Sequence, residues 1–104
     1  MKKVWFISLL LVAFSSWADD ATAGRAKADV ACALCHGPNG VATLPNAPKM
    51  ARQHALYMSE QLKNYRSGQR QNAVMGVIAK PLTDAEIAQL AAWYSAIKVT
   101  VELP

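Results

Sequence analysis

Two thiols and an imidazole crowd into five residues, Cys32-Ala33-Leu34-Cys35-His36, and the chain has no third cysteine. On a helix Cys32 and His36 stand at i and i+4, with Cys35 three after the first, so both sulfurs and the ring can face one flat ligand. C-x-x-C-H is the spacing of a c-type haem attachment site. Each thiol adds across a porphyrin vinyl group while the adjacent imidazole takes the iron, a chemistry that needs all three residues at this spacing. Other uses of the cysteines fit poorly. A thioredoxin-like pair wants strands, and zinc wants four good ligands where two Cys and two His stand at unsuitable places.

An iron held on one face by His36 leaves a second axial position, either open for gas or peroxide chemistry or closed for electron transfer. Beyond the first residue, the candidates are Met50, Met58, Met75 and His54. Met58 falls on an apolar helical stripe, where methionine commonly fills space. Met50 follows the motif on a short tether beside Pro48, and His54 begins a helix among polar neighbours. Met75 sits in a long connecting segment, far enough from His36 for the chain to pass the edge of the ligand and return on its other face. That placement favours Met75, with the other three as alternatives. A neutral thioether there favours ferrous iron and a raised potential.

The elements that position these residues are helical. Ala21 to Cys32, rich in Ala, Lys and Arg, predicts a helix running into the motif. Gly24 inside it fits either a close helix crossing or a frayed start. Gly37-Pro38-Asn39-Gly40 is a turn, and Val41 to Lys49, with Pro45 and Pro48, is expected as an irregular loop. Met58, Leu62 and Tyr65 repeat at helical spacing between His54 and Ser67, with Gly68 as the cap. Gly68 to Leu82 has no sustained period and reads as a long loop holding Val74, Met75, Val77 and Ile78. Thr83 and Glu86 form a capping box, Leu82 and Ile87 a hydrophobic staple, and Ile87, Leu90, Ala91, Tyr94 and Ile97 one apolar stripe. No run alternates with period two, so the fold class is all-α.

Met1 to Ala18 has the make-up of a cleavable export signal: Lys2 and Lys3, an apolar run from Val4 to Phe14, and Ser16-Trp17-Ala18 as a small-x-small site. The run is shorter than the roughly 20 residues of a spanning helix. The expected division is a signal at 1–18 and one domain at 19–104. Removing Lys2 and Lys3 from 11 Lys+Arg leaves 9 against 7 Asp+Glu, a formal +2, which is no nucleic-acid footprint. The mature aromatics are only Tyr57, Tyr65, Trp93 and Tyr94. Domains this small commonly lean on a disulfide, metal or cofactor, and without one this core would be thin; a haem can serve as the extra core.

In its ordered residues the chain resembles the class I cytochromes c, both the small bacterial periplasmic type and either half of the dihaem c-four type. The resemblance runs through Gly24, Cys32 to His36 with Gly37 and Gly40, Pro48-Lys49-Met50, Gln53 and Tyr57. It continues with Gln61-Leu62, Gly68, Arg70, Met75, Pro81-Leu82-Thr83-Asp84, Ala91, Ala92 and Tyr94. It implies three main helices plus loops wrapped around one covalently bound haem c, with thioethers at Cys32 and Cys35 and axial ligands His36 and Met75. It also implies that the first and last helices cross at Gly24 and Tyr94, and that a carbonyl near Pro45 or Pro48 orients the His36 ring. Arg52 departs from the pattern: it stands where the family often has glycine, and a haem propionate is its expected partner. The second haem domain of the dihaem relatives has no counterpart, so one haem is expected, with a homodimer as the route to a pair.

The function so implied is that of a periplasmic one-electron carrier and not an enzyme. Its partners would be redox proteins, a donor and an acceptor such as a terminal oxidase or a periplasmic reductase or dehydrogenase. No nucleic-acid binding and no stable membrane insertion are expected, and the chain is expected to be a monomer or weak homodimer. The alternatives are a haem subunit of a larger periplasmic oxidoreductase, and a haem sensor or peroxidase-like protein with a displaceable methionine.

Overall fold

The computed structural model describes residues 1–5 and 17–104. Most of the apolar run expected as an export signal lies outside the described residues. Five helices follow in order: α1 (Trp17–Ala31), α2 (Ala33–His36), α3 (Ala55–Ser67), α4 (Ala73–Ala79) and α5 (Asp84–Ala96). There is no strand among the described residues, and no helix among them is long and apolar enough to cross a membrane.

α1 begins four residues before the expected Ala21, because Asp19 and Asp20 occupy its first turn, where acidic side chains complement the helix dipole. It packs along α5, and Gly24 makes the crossing possible. A Cβ at Gly24 would lie 1.9 Å from the Gln89 carbonyl oxygen and 3.0 Å from Trp93 Cβ. The residues met at the crossing are therefore Gln89 and Trp93, while Tyr94 lies further along α5 against the Cys32 end of α1. Two polar clasps flank the apolar contact: Lys27 Nζ lies 2.8 Å from Glu86 Oε2, and the Arg25 guanidinium lies 5.2 Å from the Trp93 ring centre.

α5 starts as its sequence demands. Thr83 Oγ1 accepts the Glu86 N–H at 3.1 Å and Glu86 Oε1 accepts the Thr83 N–H at 3.0 Å. Leu82 and Ile87, the staple pair, are both buried. α3 rests on α5 and is anchored at its far end by Arg66, which donates to the Leu82 carbonyl at 3.0 Å and to Asp84 Oδ1 at 2.6 Å. The core common to α1, α3, α4 and α5 is Ala28, Met58, Ala79, Leu82, Ile87, Leu90, Ala91 and Tyr94.

The segment expected as a loop from Gly68 to Leu82 contains α4. Asn72 starts it: its Oδ1 accepts the N–H groups of Val74 at 3.0 Å and Met75 at 2.9 Å. Seven residues are too few for a helical period to emerge from the sequence, and Gly76 in the middle lowers the local propensity. Packing against α3, with Ala79 wholly buried, supplies what propensity lacks.

The 41–50 loop is drawn together at its base. The Gly40 carbonyl accepts the N–H groups of Met50 at 2.8 Å and Ala51 at 3.0 Å. Gly40 has φ 71°, and a Cβ there would sit 2.7 Å from the Ala51 nitrogen, so glycine alone fits the pinch. Beyond it Arg52 has φ 67°, the left-handed conformation for which glycine is the natural occupant. Its N–H donates to the Tyr94 carbonyl at 2.9 Å and fastens the loop to α5.

Candidate functional site

The C-x-x-C-H residues do form one helical turn. Cys32 N–H donates to the Ala28 carbonyl at 2.8 Å at the end of α1, and His36 N–H donates to the Cys32 carbonyl at 3.0 Å at the end of α2. His36 is buried, 6% exposed, and its Nδ1 lies 2.8 Å from the Pro48 carbonyl oxygen. A carbonyl can only accept, so Nδ1 carries the proton and Nε2 keeps the lone pair available to a metal. The orienting carbonyl is that of Pro48 and not of Pro45, because the Gly40 pinch returns the chain to α2 at that point. Thr43 adds a second fastening that sequence reading missed: its Oγ1 donates to the Leu34 carbonyl at 3.1 Å. A lone threonine in a loop carries no signal of this contact.

Cys32, Cys35 and His36 line a cleft of about 650 Å³, well within the roughly 300–1,000 Å³ typical of cofactor pockets. Its walls carry apolar side chains left open in the protein alone: Val30 is 87%, Leu34 89% and Val74 62% exposed. Met50, Met58 and Met75 all reach this cleft and His54 does not. His54 is the exposed residue before α3. The three methionines differ in how the protein uses them. Met58 is buried in the core and Met50 packs against it. Met75 is half-buried on α4 and belongs to neither set.

Two cations stand in the cleft wall, Lys49 and Arg70, and Arg52 is not among the lining residues. The expected contact of Arg52 with a haem propionate therefore finds no support: its backbone faces α5 and its side chain is exposed. Arg70 is held ready, with Nη1 donating to Gln61 Oε1 at 2.9 Å and the guanidinium 4.7 Å from the Tyr65 ring centre. On the opposite flank, burial pushes the Cys32 thiol up, and a hydrogen bond from Tyr94 and the charge of Lys27 pull it part of the way back. Burial first, and Cys32 second, push the Tyr94 phenol up as well.

A flat, largely apolar group that binds two thiols and one imidazole and carries carboxylates fits this cleft: the sulfurs share a helical turn, Nε2 is free beside them, and two cations border the opening. Comparison with known proteins agrees. The family model described as Cytochrome c matches residues 21–97. The chain is 45% identical over 76 residues to cytochrome c4 of Thiocapsa roseopersicina, covering 73% of this chain and 39% of that one. To cytochrome c-554(548) of Halomonas halodenitrificans it is 41% identical over 81 residues, covering 75% of this chain and 96% of that one. The crystal structure of reduced recombinant cytochrome c4 from Pseudomonas stutzeri superposes with a TM-score of 0.71 at 29% identity, over 78% of this chain and 50% of that one.

The fold is that of a class I cytochrome c. The chain belongs to the cytochrome c family of electron carriers, whose prosthetic group is a covalently attached haem c. It spans about half the length of the cytochromes c4 it matches.

Proposed function

We propose that this chain is a periplasmic one-electron carrier with a single haem c, joined through thioethers at Cys32 and Cys35 and held axially by His36 and Met75. The bound haem supplies an iron that takes up and releases one electron. The chain's own residues do the rest. Pro48 holds the His36 ring by Nδ1, which would present Nε2 to the iron in a fixed orientation and with raised basicity. Met75 offers a neutral, soft sulfur, which favours the less charged metal state and raises the potential. Lys49 and Arg70 would offset the carboxylates of the bound group, and Val30, Leu34 and Val74 supply apolar wall for it to cover. An export signal at 1–18, cut after Ala18, would leave Asp19 and Asp20 to head α1, where their charge suits the helix N-terminus. Redox proteins are the partners, a donor and an acceptor docking in turn on a monomer or weak homodimer.

The observation that carries the reading is the convergence of Cys32, Cys35, His36 and Met75 on one cleft, with Met75 the methionine not committed to the protein core. The test is an optical and redox titration of protein matured in a periplasm with its haem-attachment machinery. A reversible one-electron transition and poor binding of carbon monoxide by the untreated ferrous protein are expected. Ready carbon monoxide binding would instead favour a sensor or peroxidase-like role. Met75→Ala should leave haem attached, lower the potential and open the iron to external ligands; an unchanged spectrum and potential would overturn the ligand assignment.

A further inference from the structure

One period-two run, which the sequence reading passed over, stands beyond α5. Ile97, Val99, Val101 and Leu103 alternate with Lys98, Thr100 and Glu102, and Val99-Thr100-Val101 at the centre has high strand propensity. The backbone turns extended as soon as the helix stops: Ile97 has φ −67° and ψ 125°. Ile97 itself packs against the core and fixes where the run leaves the domain. The rest is in the open. Val101 is 77% and Leu103 88% exposed, and Lys98, Thr100 and Glu102 are exposed as well. Among the described residues, no backbone hydrogen bond or ion pair holds residues 98–104. The cytochrome c match covers residues 21–97, so the domain fold gives these side chains no place. An extended run with unpaired N–H and C=O groups is a template for another strand.

We propose that this run pairs with the same run of a second copy, antiparallel and centred on Thr100, as a two-stranded ribbon joining two domains. In that register the segment is complementary to itself. Lys98 of each copy stands opposite Glu102 of the other, Val99 opposite Val101, and the two Thr100 side chains meet on the two-fold axis. Leu103 comes opposite Ile97, at the edge of the other domain's core. Directly opposite residues share a face, so the apolar pairs lie on one side of the ribbon and both charge pairs on the other. Centring the pair on Val99 or Val101 parts Lys98 from Glu102, and a parallel in-register pair sets like charges against each other. A two-stranded ribbon is marginal in water by itself, so the dimer is weak and dissociates. The proposal deepens the homodimer side of the functional reading and rests on that reading for the haem that marks the folded protein in its test.

The test is sedimentation equilibrium of the haem-loaded protein at rising concentration, followed at the haem absorbance. A monomer–dimer equilibrium that weakens with added salt is expected, because the charge pairs are exposed. Glu102→Lys sets lysine against lysine twice and should weaken dimerisation about tenfold; Lys98→Glu sets glutamate against glutamate and should do the same. The Lys98→Glu, Glu102→Lys double variant restores both opposite-charge pairs and should recover the parent's association. These residues lie outside the cleft and the core, so the visible spectrum should not change. Thr100→Cys reads the register. Opposite Cα atoms in such a pair stand about 4.5–5.5 Å apart, within disulfide reach, so a mild oxidant should link two copies through residue 100, while Lys98→Cys and Glu102→Cys should link few. A protein still monomeric at about 1 mM, a double variant no better than either single one, or equal linking at all three positions would overturn the proposal. Protein without haem absorbance would instead overturn the reading of the cleft.

Discussion

At the scale of single residues, Arg52 shows how a side chain can be tolerated where the backbone favours none. Its φ of 67° places a Cβ against the following carbonyl, a conformation that disfavours an L-residue by about 1–2 kcal/mol, against which glycine's greater entropy loss on folding weighs about 0.5–1 kcal/mol. Arg52→Gly should therefore stabilise the protein by up to about 1.5 kcal/mol, read as a raised midpoint in thermal or denaturant unfolding of the holo-protein. Among the described residues the exposed guanidinium makes no hydrogen bond or ion pair whose loss would offset the gain. A fall in stability would mean that the side chain, and not the backbone, governs this position. Pro48 is the opposite case, a residue that acts only through its carbonyl. What matters there is the acceptor 2.8 Å from His36 Nδ1, and any residue keeping that backbone path would serve.

At the scale of elements, the pairing of α1 with α5 is the joint on which the site hangs, since α2 continues from the end of α1. Gly24→Ala would place a methyl 1.9 Å from the Gln89 carbonyl oxygen, a backbone atom that cannot step aside without parting the helices. Overpacking of this kind costs roughly 1–3 kcal/mol or more, which outweighs the ~1 kcal/mol that alanine gains in helix propensity. A lower melting temperature for the holo-protein is expected, and an unchanged or higher one would show that the crossing can widen freely. The same joint is pH-sensitive through Glu86. The Lys27 ammonium first, and the Thr83 backbone N–H second, hold its carboxyl down at about 2. A depressed carboxylate contributes its stability above its unfolded pKa and loses it as pH falls through the folded value. The contribution should thus fade between about pH 4.5 and 2, and Glu86→Gln should flatten that part of the stability profile. Because the pair lies at the surface, added salt should weaken the effect.

At the scale of the whole molecule, the protein part of the core is thin. The buried hydrophobic residues are Ala28, Met58, Ala79, Leu82, Ile87, Leu90, Ala91, Ala92 and Tyr94 among those described, and four of these nine are alanines. Around them an apolar cleft of about 650 Å³ lies open. A domain of this size rarely closes its stability account on such a set, and a bound group that fills the cleft serves as the missing core. The Cys32→Ser, Cys35→Ser double variant should accordingly lose its cooperative thermal transition and its near-ultraviolet circular dichroism. A sharp transition in that variant, close to the parent's, would show that the helices hold without the cofactor.

The amino-acid sequence by itself determined the chemistry of the centre and the elements with strong local rules. C-x-x-C-H is complete within one helical turn, and the Thr83–Glu86 box and Leu82–Ile87 staple act between residues three to five apart, so each is legible without knowing the fold. The tertiary structure decided what depends on distant partners. Packing on α3, with the Asn72 cap, made a helix of α4 where seven residues show no period. The Gly40 pinch chose the Pro48 carbonyl over Pro45, and the path of the 41–50 loop left Arg52 outside the cleft while Arg70 and Lys49 entered its wall. The physical reason is the same in each case: such contacts are selected by close packing between segments remote in sequence, and no local spacing encodes them.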